Sequence, residues 1–369
     1  MRNKPHPRCQ PGFSLVELMI GITLSLIIMA GLSTVFIQSS QARAELERNN
    51  RQIESGRYAV SLLTEDLRMA GYFSTFDPYR NIILPNAPPL AGIIAMPDPC
   101  NTTLSGTSSS WINSYFYHIY GVDNVAAATI PGCLADVKPG TDILVIRRLS
   151  NCVAGPTADA GCDAVIAGVP YFQASSCNGF TELAANTGSA TDYMAGFVLN
   201  TDTTALVMNK NTLDCTTKAP YSRYFVRIYF VANNNIGSDG VPTLKRAELT
   251  GNRFTIVPLV EGIENMQFEY GVDSGTDGVV DAYTADPGLY AACLGTACVA
   301  NWLRTYSVRM NILARNTDVS LNHIDAKSYV LGKKMDGTDN VFGPFGDGYK
   351  RHVYNSTVRL DNPAGRSLP

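Results

Sequence analysis

Twenty consecutive positions, Leu18 to Ile37, carry no charged side chain. At about 1.5 Å per residue, a helix of that length matches the ~30 Å hydrocarbon thickness of a bilayer, so the run predicts a membrane-spanning helix. Past Ile37 the chain turns polar without a break. From Leu46 a heptad seam follows, with Leu46, Ile53, Val60 and Leu67 at one position and Asn49, Gly56, Leu63 and Ala70 at the other. One helix is therefore expected from Phe13 to about Ala70, with Gly71 as its stop. Its first half, 13–37, must pack in lipid or among other helices, and its second half, 38–72, continues beyond the membrane. Asn49 and Gly56 on the seam argue against a self-standing homodimeric coiled coil. Gly21, Gly31 and Gly56 are read either as points of close helix approach or bending, or as local tolerance.

From about Phe73 the texture changes. Pro85, Pro88, Pro89, Pro97 and Pro99 mark an extended connector, after which short apolar alternations are separated by Gly, Asn, Asp and Ser clusters. Strands are expected at 142–149, 223–231, 254–260, 265–270, 305–315 and 352–360. In the fifth, Tyr306, Val308, Met310 and Ile312 alternate with Ser307, Arg309 and Asn311, the pattern of a half-buried antiparallel strand. The fold class is α+β, a long N-terminal helix followed by a β-rich head over 73–369.

Charge gives the chain its direction. The first 12 residues hold Arg2, Lys4 and Arg8 and no acid, and Glu17 is followed by the uncharged run, which puts the N-terminus on the cytoplasmic side and the head outside. A net charge of −3 without a long basic run gives no electrostatic footprint for nucleic acid, and 45% hydrophobic residues exclude wholesale disorder. An ordinary secretory signal would have a shorter apolar core followed by a small-x-small cleavage site, which this segment lacks.

What stands here instead is a short basic leader and then Gly12-Phe13-Ser14-Leu15-Val16-Glu17, directly before the apolar run. This resembles the type IV prepilin motif. The resemblance implies a prepilin peptidase cut between Gly12 and Phe13, loss of the leader 1–12, N-methylation of Phe13 and retention of the apolar helix. Glu17 is an acid at the edge of a membrane span and needs a cation. The amine freed at Phe13 stands four residues before it on the same helix face, and the two groups can also pair between neighbouring subunits.

Of nine cysteines, Cys9 lies in the leader, leaving Cys100, Cys133, Cys152, Cys162, Cys177, Cys215, Cys293 and Cys298 on the exported side. An even set in an oxidising compartment predicts disulfides. Only the short-range pairs Cys293–Cys298 and Cys152–Cys162 can be suggested from spacing.

Farther along, Gly56-Arg57-Tyr58-Ala59 precedes Asp66-Leu67-Arg68-Met69-Ala70-Gly71-Tyr72-Phe73. Later come Val260-Glu261-Gly262-Ile263-Glu264, Tyr270-Gly271-Val272-Asp273 and the Val308-Arg309 strand. Together these resemble the PilW family of type IV pilus minor pilins, broadly at both ends and thinly over 81–221; Ser74 stands where that pattern would have glycine. The resemblance implies the type IV pilin fold and a structural, non-enzymatic role in starting fibre assembly, in a minor-pilin complex at the pilus tip. Implied partners are other minor pilins, the major pilin, prepilin peptidase, the inner-membrane assembly machinery and a large tip adhesin. The implied location is the inner membrane before assembly and the extracellular fibre after it. Rival readings are a pseudopilin of a type II secretion system, or a membrane-anchored periplasmic adhesin or enzyme.

Catalytic patterns do not support the enzyme. His6, His118, His323 and His352 lack metal-ligand spacing, and no G-x-S-x-G, Walker A or G-x-G-x-x-G run is present. No cofactor is expected, with one exception. Asp273-Ser274-Gly275-Thr276-Asp277-Gly278-Val279-Val280-Asp281 places carboxylates at positions 1, 5 and 9 and glycine at 6, as in an EF-hand-like calcium loop. It lacks an acid at position 3 and has Thr284 at position 12, so a plain Asp/Gly hairpin turn is the simpler reading. Asp336-Gly337-Thr338-Asp339-Asn340 is read as a turn.

Overall fold

The computed structural model describes residues 12–74, 76, 96, 98–102, 117–155, 162, 164–177, 196–275, 277–292 and 296–366. The basic leader residues and most of the proline-marked connector lie outside them. The chain forms two compact units, residues 1–51 and 52–369.

The first unit contains the start of helix α1, Leu15–Arg68. Its apolar stretch reaches a mean hydropathy of 2.3 over 18 residues and is long and apolar enough to cross a membrane. The four hydroxyls inside the uncharged run return to the helix backbone. Thr23 bonds the carbonyls of Met19 and Ile20, Ser25 that of Gly21, Ser33 that of Met29 and Thr34 that of Gly31. Each polar side chain is thus satisfied within its own helix, as lipid requires.

The second unit holds the rest of α1 and, among the described residues, thirteen strands, which pair antiparallel throughout. One sheet has seven: β1 Ile119–Val122, β2 Ile143–Ala154, β3 Tyr171–Ala174, β4 Phe197–Asn200, β5 Tyr221–Ala232, β6 Thr243–Thr250 and β7 Arg253–Glu261. The long β5 lies at its centre, with β2 along one edge and β3 and then β6 along the other. The second sheet runs β13-β10-β8-β9, with β8 Ile263–Val272, β9 Ala282–Thr284, β10 Thr305–Arg315 and β13 Arg351–Arg359. A two-stranded hairpin, β11 Tyr329–Lys333 and β12 Asp339–Phe342, and the short helices α2 Thr296–Ala300 and α3 Asp361–Arg366 belong to the same unit.

Gly262 joins the two sheets. It separates β7 from β8 at φ +78°, and a Cβ there would lie 2.6 Å from the Arg315 carbonyl oxygen. Only glycine turns this corner without strain.

The heptad seam on α1 holds at Gly56, Leu63, Leu67 and Ala70, which are buried, and fails nearer its start. Leu46 and Ile53 are exposed, while Gln52, Gly56, Ala59, Leu63, Asp66 and Leu67 are buried. The buried part of the helix is covered by sheet rather than by another helix, so its buried stripe follows the side chains that the strands meet. Gln52 Nε2 donates to the Ala314 and Lys350 carbonyls at 2.9 Å each. Ala59, Leu63, Leu67 and Ala70 enter the main core together with Ile143, Leu144, Tyr229, Val308 and Met310 of the strands.

All six expected strands are present, several of them longer than their alternation suggested. The half-buried reading of 305–315 is the exception in kind. Ser307 and Asn311 are only 6% and 7% exposed, because β10 is a central strand and the β11–β12 hairpin covers its second face. A Cβ at Gly332 of β11 would lie 2.8 Å from Asn311 Nδ2.

Candidate processing and assembly site

Ser14 starts α1. Its carbonyl accepts the first helical bond from Leu18 N, and its Oγ accepts from Val16 N at 3.3 Å. Glu17 reaches back, and its Oε2 accepts from Ser14 N at 3.1 Å. This is a reciprocal cap, and the Ser-x-x-Glu spacing is the sequence signal that could have announced it. Glu17 thus serves the end of its own helix in the uncut chain. Phe13, 88% exposed, stands just before the cap.

Phe13, Glu17, Gly21, Ser25 and Met29 follow one another at intervals of four and line one groove along the helix with Leu18 and other apolar side chains. One face therefore carries the residue that would bear the new amine, the carboxylate, and two small residues that let another helix come close.

In the head, the side chains that fix α1 were missed as a site. Asp66 is buried and accepts from Arg148 Nε at 2.6 Å, Arg227 Nη1 at 2.8 Å and the Tyr229 hydroxyl at 2.7 Å. One helical carboxylate thereby binds β2 and β5. Burial opposes its ionisation, but the two guanidiniums and the hydroxyl outweigh it and hold the carboxyl below its ordinary range. At the helix C-terminus, Asn362 Nδ2 donates to the Arg68 and Ala70 carbonyls. In the second sheet, the fully buried Arg351 side chain pairs with Glu264, with Asp325 at 2.8 Å and with Asp347 at 2.6 Å.

Three disulfides fasten the middle of the chain: Cys100–Cys133, Cys152–Cys162 and Cys177–Cys215. Cys298 is also disulfide-bonded, and Cys293 lies outside the described residues. His118 is buried with its Nε2 3.0 Å from the Thr305 carbonyl oxygen, His352 packs edge-on against Tyr354, and His323 is part-exposed.

The segment with Asp273, Asp277 and Asp281 is the loop of the β8–β9 hairpin. Asp281 Oδ2 accepts from Ser274 N and Oγ and from Gly275 N, Asp277 Oδ1 from Val279 N, and Asp273 Oδ2 from Gly278 N. Among the described residues, no three histidine, cysteine or acidic side chains are gathered where they could hold a metal ion. Asp336, Gly337 and Thr338 lie in the turn between β11 and β12, held by Asp336 Oδ1 accepting from Thr338, and Asp339 and Asn340, read as part of that turn, begin β12.

Residues 7–33 match the Prokaryotic N-terminal methylation motif, and residues 228–362 match the family described as Type IV Pilus-assembly protein W. The first match and the apolar helix fit a pilin with a class III signal, anchored in a membrane and later incorporated into the pilus. The second narrows the resemblance: over 228–362 the chain is similar to PilW, and the two matches together support a PilW-type minor pilin of the type IV pilus. The second match runs from β5 into α3 and contains Glu264, Arg351 and the whole second sheet. No curated protein and no solved structure matches the chain. The family matches point to a structural protein rather than an enzyme.

Proposed function

We propose that this chain is a minor pilin that helps to initiate type IV pilus assembly within a minor-pilin complex at the fibre tip. In this reading it waits in the inner membrane with its N-terminus cytoplasmic and its head periplasmic. Prepilin peptidase cuts between Gly12 and Phe13, and Phe13 is N-methylated. The inner-membrane machinery then moves α1 from lipid into a bundle with the helices of other minor pilins and the major pilin.

The observation that carries this reading is the row Phe13, Glu17, Gly21 and Ser25 along one face of an apolar helix. A carboxylate at the edge of a span is costly in lipid and gains a partner when an N-terminal amine reaches it. Glu17→Ala is therefore expected to be made, inserted and cleaved normally, and to accumulate in the membrane while its share of the pilus fraction falls severalfold. Immunoblots of both fractions, with pili counted by microscopy, test this. Wild-type incorporation and piliation would end the pairing role.

A further inference from the structure

One face of the first sheet is short of negative charge. Residues directly opposite in antiparallel strands share a face, and the register sets Arg148 of β2 opposite Phe225 of β5, Arg227 of β5 opposite Glu248 of β6, and Glu248 opposite Thr255 of β7. By alternation Arg223, Arg246 and Arg253 lie on the same face. Glu248 serves three guanidiniums, those of Arg223 at 2.9 Å, Arg227 at 2.8 Å and Arg246 at 3.5 Å, and Asp66 serves Arg148 and again Arg227. Four arginines thus share two carboxylates. The guanidiniums of Arg148, Arg223 and Arg227 also stand 4.9, 4.7 and 4.3 Å from the centre of the Phe225 ring.

The surplus cannot be shed by titration, because an arginine in a protein does not deprotonate. The ion-pair cluster of the second sheet is balanced, with Lys138, Arg315 and Arg351 meeting Glu264, Asp325 and Asp347. In the first sheet, Arg223 Nε and Arg246 Nε are buried with no hydrogen-bond partner among the described residues. An unpaired donor on a charged group carries a desolvation cost that an anion removes. These two arginines are also the more open, their side chains 22% and 24% exposed against 14% for Arg148 and Arg227. Thr255 and Arg253 on β7 are exposed, so a solute reaches the cluster from that side, and Arg253 makes no ion pair among the described residues.

We propose that Arg223 and Arg246, with Arg253 at the rim, form a binding site for a doubly charged oxyanion of the phosphate class. Its oxygens accept from the two guanidiniums, including their unpaired Nε–H groups once these half-open side chains turn outward, and its charge supplies what the four arginines lack. A phosphate group carries close to two negative charges at neutral pH and several acceptor oxygens, and it matches the guanidinium fork, whereas a single carboxylate brings one charge. Glu248 holds the guanidiniums in place from the sheet side. The site does not depend on the pilus-assembly reading.

The test is calorimetric titration of the full-length chain in detergent with sodium phosphate and separately with sodium acetate, the ionic strength held constant with sodium chloride. Phosphate is expected to bind once per chain, and acetate at least tenfold more weakly. Arg246→Gln should keep its melting temperature in chloride and lose phosphate affinity at least tenfold, and Arg253→Gln, at the rim, about twofold to threefold. Phosphate stabilises any folded protein by exclusion from its surface, so saturable heat and its loss in the variants decide, not a thermal shift. No saturable heat up to about 20 mM phosphate, equal binding of acetate, or unchanged affinity in both variants would each overturn the proposal. Tighter binding of a hexaglutamate peptide than of phosphate would overturn it in favour of an acidic protein segment.

Discussion

Asp66 shows how one side chain can join a helix to a sheet. Its two strand arginines and the Tyr229 hydroxyl surround it in a buried site, so Asp66→Ala leaves guanidiniums short of their counter-charge and is expected to cost about 3–5 kcal/mol at neutral pH. The pH dependence has a definite sign. The folded-state pKa of Asp66 is lowered, so its contribution is full above the unfolded value and is lost as pH falls through the folded one. Asp142 behaves oppositely, since burial and then Asp123 raise its pKa, and it weakens the fold as pH rises from the unfolded value through the raised one. Stability should therefore peak in mild acid. Urea unfolding from pH 3 to 8 should show the acid-side fall shrink in Asp66→Ala, and superimposable acid limbs would refute the assignment. Ser74 adds a smaller strain: it takes φ +56°, a conformation that favours the glycine expected there.

At the scale of elements, Gly56 decides how closely α1 approaches β13. A Cβ there would fall 2.1 Å from the Tyr354 ring, so the glycine is needed for a strand side chain rather than for a second helix. Gly56→Ala should gain about 1 kcal/mol of helix propensity but lose about 1–3 kcal/mol by overpacking, a net destabilisation. In a Tyr354→Ala background the same change should stabilise, and a double-mutant cycle by denaturant unfolding reads the difference; no change of sign would place the conflict elsewhere. The helix and the longer strands were legible because each carries an apolar run or alternation long enough to show a period. The four-residue strands β1, β3 and β4 are too short to show a period, and β6 is interrupted by Lys245, Arg246 and Glu248. Of the seam on α1, Gly56, Leu63, Leu67 and Ala70 are buried while Leu46 and Ile53 are exposed, because a helical period shows that one face is covered but not what covers it or how far along the helix.

Across the whole molecule, legibility followed distance along the chain. The prepilin-like motif could be read because Gly12, Phe13 and Glu17 form one short contiguous stretch. The Asp66 cluster could not, because its partners lie 82, 161 and 163 residues away and meet only when the sheet forms. The three disulfides within 100–215 fasten a region that lies before the start of the family match at residue 228. In the pilin reading, cleavage after a short leader leaves the apolar helix on the mature chain, and every later step depends on that helix. Mass spectrometry of the N-terminal peptide, on protein recovered from sheared pili, tests this most directly. The expected result is a chain beginning at N-methylated Phe13. A chain that still begins at Met1, or one cut beyond Ile37 so that the helix is lost, would contradict it.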